Sequence, residues 1–340
     1  MSELAFPVLG AALVVLCVLP AAALLGLLLS VVVDRARGGR LVRWGGARHA
    51  LLTLPCLLPL VWVVSAGVHQ AEPGRAVLAC MFGHEIEQLC LEPLLFVVLL
   101  LAFSAWRLRS LARPLRLAKS ARLPESAPEA VRVAGLIRRN ARLKPLIGRW
   151  LIARDTVGGC AALGLLRPVV ALDAQFVRAC DDEALVGALS HELEHVRGFD
   201  PLRYWLLAAA VRLVPFGEAL LGRSAAAWLF SREVECDRAA VLAGAAPLGV
   251  AQALLRASRP ASPVLAHIGG AASRLRLRVE LLLAYAEARP RDDVSRGRAP
   301  LVLSMLLAVG VGLLPHAFGA HPLDFLHTGL ERLMSQVFLR

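Results

Sequence analysis

Residues 183–201 read EALVGALSHELEHVRGFDP, and the HELEH at 191–195 decides how the rest of the chain is read. The segment is rich in helix formers, with Asp181 or Asp182 suited to its N-cap and Gly198 to its end, so a helix is expected over about 182–197. On a helix, residues four apart share a face, so the imidazoles of His191 and His195 can bind one ion. Glu192 is offset to the side, where a carboxylate can reach a metal-bound water.

A catalytic zinc needs a third protein ligand and an open position. In a metzincin that ligand is a histidine six residues after His195, but Pro201 stands there. The stretch REVECDRAAV, residues 232–241, offers a glutamate from a later helix. Glu233 and Asp237 are four apart and share a face. Glu233 can bind the metal while Asp237 accepts a hydrogen bond from the outer nitrogen of a ligand histidine, which fixes the ring and raises its basicity. Glu235 points elsewhere and suits a solvated or salt-bridged role. Cys236 reads as a buried packing residue, although a thiolate can ligate zinc, and Glu194 reads as a salt-bridge partner. His84-Glu85-Ile86-Glu87 imitates half of the motif but has Gln88 where the second histidine is needed. His267, His316, His321 and His327 lack partner spacing and are read as structural.

Working outward, RWLIAR (149–154) and PVVAL (168–172) read as short strands, with Gly158, Gly159 and Gly164 marking turns. Residues 129–142 read as a helix, entered through the connector LPESAPEA. The apolar stretch 204–230 is interrupted by Arg212, Pro215, Glu218 and Arg223. A single membrane crossing there would put Glu233 on the wrong side for the metal. A helical hairpin packed on the domain and dipping into the membrane interface is therefore expected.

The chain is 57% hydrophobic with a formal charge of +12. Leu4–Val33 and Ala50–Val68 carry no charged side chain, and Leu301–Leu314 lies in a third such run. A bilayer core takes about 20 apolar residues of helix. Four spans are expected, at 4–30, 50–70, 90–106 and 299–319. The first run is longer than the roughly 7–15 residues of a signal-peptide core, and its basic cluster follows it. Arg35, Arg37, Arg40, Arg43 and Arg48 follow the first run, and Arg107, Arg109, Arg113 and Arg116 the third. The loop between, at 71–91, carries Glu72, Glu85 and Glu87. This asymmetry puts 107–298 in the cytoplasm and accounts for the basic charge without nucleic-acid binding. Cys17 and Cys56 fall in spans, and Cys160, Cys180 and Cys236 are expected free in a reducing compartment. Cys80 and Cys90 share the external loop, as a disulfide or as two thiols.

The expected fold is mainly α: a multi-span helical membrane protein with a cytoplasmic zincin-like α+β domain containing a small β-sheet. Its units are 1–123 with three spans, 124–298 as the metal-binding domain, and 299–340 as a last span and short tail.

HELEHVRGFDP followed by SREVECD resembles the BlaR/MecR-type membrane zinc metallopeptidases, which are gluzincins with HExxH, an aspartate five residues on and an E-x-x-C-D element. GLLRPVVAL (164–172) and SRLRLRVELLL (273–283) extend the similarity over about 124–285. The E-x-x-x-D element is shared with the HtpX and prenyl-protein-protease type. BlaR/MecR proteins continue into an extracellular penicillin-binding sensor domain, whereas here about 20 residues follow the last expected span, so the resemblance does not extend to antibiotic sensing by that route. It implies a zinc endopeptidase, one Zn²⁺ per chain, in the bacterial inner membrane with its catalytic domain facing the cytoplasm. His191, His195 and Glu233 would hold the metal, Glu192 would be the general base and Asp237 would support a ligand. A protein or peptide substrate could add as a strand to the edge of the 149–172 sheet. The expected role is regulatory proteolysis of a cytoplasmic or membrane-anchored regulator. The alternatives are membrane-protein quality control and a catalytically silent signal transducer.

Overall fold

The computed structural model describes residues 12, 14–36, 48–53, 91–109, 120–154, 159–257 and 271–287. The expected span 299–319, most of the span 50–70, the loop with Cys80, His84 and Cys90, and His267, His316, His321 and His327 lie outside them.

The described residues are mostly helical, with one small sheet. A π-helical turn, Val14–Val18, leads into α1 (Leu19–Ala36), and α2 is Leu91–Leu108. Helix α3 (Pro128–Arg139) uses Pro128 in its first turn, where its missing N–H costs nothing, and stops at Asn140. The expected helix over 129–142 is shorter because Asn140 is extended and its side chain caps the next N–H, Arg142, starting a 3-10 turn over Ala141–Leu146.

The two expected strands are present as β1 (Trp150–Ala153) and β3 (Val169–Asp173), paired in parallel with Trp150 opposite Val170. Between them in sequence, and unpredicted, is β2 (Cys160–Leu163), antiparallel to β3 with Cys160 opposite Leu172. The order β1-β3-β2 leaves β1 and β2 at the edges. The outer edge of β1 is covered by the Arg122–Ala153 bridge and the bond from Leu123 N–H to the Ile152 carbonyl. The opposite edge, β2, faces the helix that carries HELEH.

That helix is α5 (Asp182–Gly198), reached through a short α4 (Ala174–Ala179). Asp181 accepts a hydrogen bond from Ala184 N–H as its N-cap, and Asp182 and Glu183 in the first turn complement the helix dipole. Residues Gly187–Val196 are buried without a break, as befits a helix covered on every side. Leu185, Leu189, Leu193 and Val196 pack with Val133, Ile137, Leu143, Ile152 and Leu172 in the main core. Each buried leucine contributes about 1.5–3 kcal/mol. The other side of α5 takes α8 (Pro247–Arg256) so closely that a Cβ on Gly187 would lie 2.7 Å from the Val250 nitrogen.

Helices α6 (Asp200–Leu213) and α7 (Gly217–Leu242) form the expected hairpin, turning at Pro215 and Phe216. Its inner face builds a second core in which Leu207, Val211, Leu221 and Trp228 pack against Leu19 and Ala23 of α1 and against Leu52. The hairpin thus joins α1 to the rest of the fold. Helix α9 (Ala271–Glu287) seats Leu282 against Ala240, Val250 and Ala251.

Among the described residues one helix, with its apolar window at Val15–Val32 and mean hydropathy 2.7, is long and apolar enough to cross a membrane. The third expected span forms α2, whose apolar window is the shorter Val98–Arg107.

Candidate metal centre

Helix α5 stacks His191 and His195 one turn apart, both buried, with their Nε2 atoms 3.0 Å apart. Glu233, from α7, closes the triangle: its Oε2 lies 3.4 Å from His191 Nε2 and its Oε1 3.5 Å from His195 Nε2. The outer nitrogens face carboxylates. His195 Nδ1 is hydrogen-bonded to Asp200 Oδ2 at 2.8 Å, whereas His191 Nδ1 lies 2.8 Å from Asp237 Oδ1 without the alignment of a hydrogen bond. A ring nitrogen beside a carboxylate holds its proton there, so each Nε2 is the nitrogen that a metal can take. Two ring nitrogens and a carboxylate then point at one spot, where a cation can replace the protons they share. Ligand atoms about 2.05 Å from a tetrahedral zinc stand about 3.3 Å apart, close to the spacing here. The three side chains called from the sequence are therefore brought together as a group that could hold a metal ion.

Glu192 is beside this triangle and outside it. Its Oε2 accepts a 2.7 Å hydrogen bond from Ala162 N–H on β2. The bond from Asp173 N–H to the Gly159 carbonyl sets the antiparallel alternation that turns the Ala162 N–H away from β3 and toward α5. Burial pushes the Glu192 carboxyl up, against the pull of His195 and His191. Burial would also push Glu233 up, but His195 and Arg278 outweigh it and hold that carboxyl well below the usual range.

A second layer holds the first. Asp200 is fully buried and accepts bonds from Arg203 Nη1 at 2.9 Å and Arg232 Nε at 2.7 Å. Burial opposes its ionisation, yet Arg232 and His195 keep its carboxyl far below the ordinary carboxylate range. Asp237 is gripped by Arg278, whose Nε and Nη2 donate at 2.7 and 2.8 Å, while Arg278 Nη1 lies 3.0 Å from Glu233 Oε2. Tyr204 donates its hydroxyl to Glu233 Oε1 at 2.9 Å. Its ring stands edge-on between His195 and Trp228.

Asp237 thus sits where its spacing put it. Glu235 pairs with Arg232 and Glu194 with Arg197. Cys160, Cys180 and Cys236 are free thiols. Cys236 is fully buried, with Sγ 3.4 Å from His195 Nδ1. With Asp200 it makes a second compact donor group behind His195. Burial raises its thiol to about 11, although His195 and Arg232 pull it down, so the sulfur keeps its proton. Since Asp200 is already committed to His195 and two arginines, this group serves as support for the ligand.

The sequence reading met Asp200 only as the motif aspartate five residues after HExxH, with no role, and missed Arg203, Tyr204, Arg232 and Arg278. Asp200 lies beyond the end of α5, where helical spacing says nothing. The helix does end at Gly198, but the left-handed residue is Phe199, at φ 52°, and that turn swings Asp200 back under His195. Gly198 is needed for room: a Cβ there would lie 2.6 Å from the Arg232 guanidinium.

Comparison with family models, with curated proteins and with solved structures finds no match to this chain.

Proposed function

We propose that the protein is a membrane-anchored zinc endopeptidase of the HExxH…ExxxD gluzincin type, akin to the BlaR/MecR group, that cleaves a cytoplasmic or membrane-anchored regulatory protein. One observation carries the reading: two histidine Nε2 atoms and the Glu233 carboxylate converge while Glu192 stands beside them without joining the triangle. A structural ion would use a closed set of four protein ligands, whereas three ligands and a neighbouring carboxylate suit a hydrolytic site.

A zinc ion held there supplies Lewis acidity for the scissile carbonyl and acidifies the attacking water. Glu192 accepts that water's proton and returns it to the leaving amine nitrogen. Ala162 N–H keeps the carboxylate aimed into the site. The substrate backbone runs along β2, the sheet edge nearest the metal triangle, as an added strand.

Two features of α1 support a membrane setting. Leu24, Leu25, Leu28, Leu29 and Val32 stand exposed, an apolar face that lipid covers. Leu19 and Ala23 are packed into the hairpin core, which ties α1 to the metal-binding fold. The cytoplasmic orientation rests on the arginine asymmetry, and fusions of a reporter after residues 78 and 120 test it: an external signal from the second would invert the topology.

The decisive test of function is cleavage of a membrane-tethered reporter, or of the chain itself, by wild type and by Glu192→Gln, with zinc measured by mass spectrometry in parallel. Cleavage lost with zinc retained is the expected result. Undiminished cleavage would end the peptidase reading and favour a silent signal transducer.

A further inference from the structure

Among the described side chains of α9, Arg278 is the one that reaches the metal triangle. Arg278 places two N–H groups on Asp237 and holds Nη1 3.0 Å from Oε2 of Glu233, the proposed ligand, as an ion pair. It therefore acts on the centre by two routes, directly on a ligand carboxylate and through Asp237 on His191. The neighbouring Arg276 has no such role: it pairs with Glu280 on the exposed face of the same helix. What puts Arg278 in place is the seating of α9, with Leu282 fully buried among Ala240 of α7 and Val250 and Ala251 of α8.

The geometry suits arginine alone. A planar guanidinium can grip one carboxylate with two parallel bonds and still present a donor to a second, whereas the lysine ammonium is a compact point charge. Without the guanidinium, the buried Asp237 loses the bonds that aim it at His191, and Glu233 loses the donor that restrains Oε2.

We propose that Arg278 is a positioning residue of the metal centre, so that the seating of α9 is a condition for full metal affinity. The proposal rests on His191, His195 and Glu233 forming a metal site. If Arg278 were only a buried salt bridge of the fold, its loss would lower the melting temperature and leave the zinc affinity of the folded protein alone.

The experiment is zinc titration against a competing chelator, with the full chain in detergent. Wild type, Arg278→Ala, Arg278→Lys and Leu282→Ala are compared well below their melting temperatures, with far-UV circular dichroism as the folding control. Arg278→Ala should weaken zinc by about 10–100-fold, the usual effect of losing an outer-layer partner. Arg278→Lys should also bind weakly, because charge alone does not reproduce the fork. Leu282→Ala, which touches no ligand, should shift affinity in the same direction by a smaller factor. Folded Arg278→Ala with wild-type affinity would overturn the proposal. If that variant does not fold, wild-type affinity in Arg278→Lys would do so instead. Unchanged affinity in Leu282→Ala would remove the dependence on α9. A wild-type chain that takes up no zinc would defeat the metal reading itself.

Discussion

His195 and its carboxylate partner Asp200 are five residues apart, and Arg203 follows three residues later, whereas His191 reaches across to Asp237 on α7 and Asp237 in turn reaches Arg278 on α9. Both supports set a buried carboxylate between an imidazole and a guanidinium, but the imidazole is hydrogen-bonded to it at His195 and only in close contact at His191. They differ in how the chain assembles them. The His195 support forms largely as α5 turns into α6, with Arg232 of α7 added from outside. The His191 support exists only when three separate helices have docked. Changes elsewhere in the fold should therefore reach the metal through His191 more readily than through His195.

The largest effect should come from the rings themselves. His191→Ala and His195→Ala should each take bound zinc from about one per chain to none, since two protein ligands do not make a stable site. Full occupancy in either, read by mass spectrometry, would remove that support from the metal altogether.

Glu192→Gln comes next. Cleavage should fall by about 10²–10⁴-fold, as for loss of a general base, with zinc unchanged. Loss of zinc in this variant would mean that Glu192 belongs to the ligand set and that the triangle is misread.

Asp200→Ala and Asp237→Ala sharpen the comparison. Each should weaken zinc by about 10–100-fold. Their stabilities should part, because Asp200 is matched by two arginines, one of them buried, and Asp237 by one that is partly buried. Removing one partner of a buried pair costs about 3–5 kcal/mol, so urea unfolding should put Asp200→Ala at the upper end. Equal or reversed stabilities would say that the two supports are not built as described.

Tyr204→Phe should have a small effect. It keeps the ring between His195 and Trp228 and deletes one hydrogen bond to Glu233, worth about 0.5–1.5 kcal/mol, or a few-fold in zinc affinity. The smallest is Arg276→Ala: an exposed pair on α9 should leave both melting temperature and zinc affinity unmoved. A shift there as large as that from Arg278 would mean that α9 acts through its overall charge.

What the sequence determined is local. The spacing of four between His191 and His195, and between Glu233 and Asp237, is a property of any α-helix, so their shared faces needed no knowledge of the fold. Strands β1 and β3 were legible from β-branched and aliphatic runs, and the hairpin from a charge-interrupted apolar stretch that had to return. The tertiary structure decided the rest. CAAL is too short and too alanine-rich to read as β2, and it is a strand because β3 offers it an antiparallel partner. Asp200 meets His195 because Phe199 takes a left-handed conformation that its side chain does not favour. Arg276 and Arg278 are alike in SRLRLRVELLL, yet one ends in solvent and the other on the buried Asp237 and the partly buried Glu233. A buried charge needs its partner within hydrogen-bond reach, and only the docking of distant helices sets which partner that is.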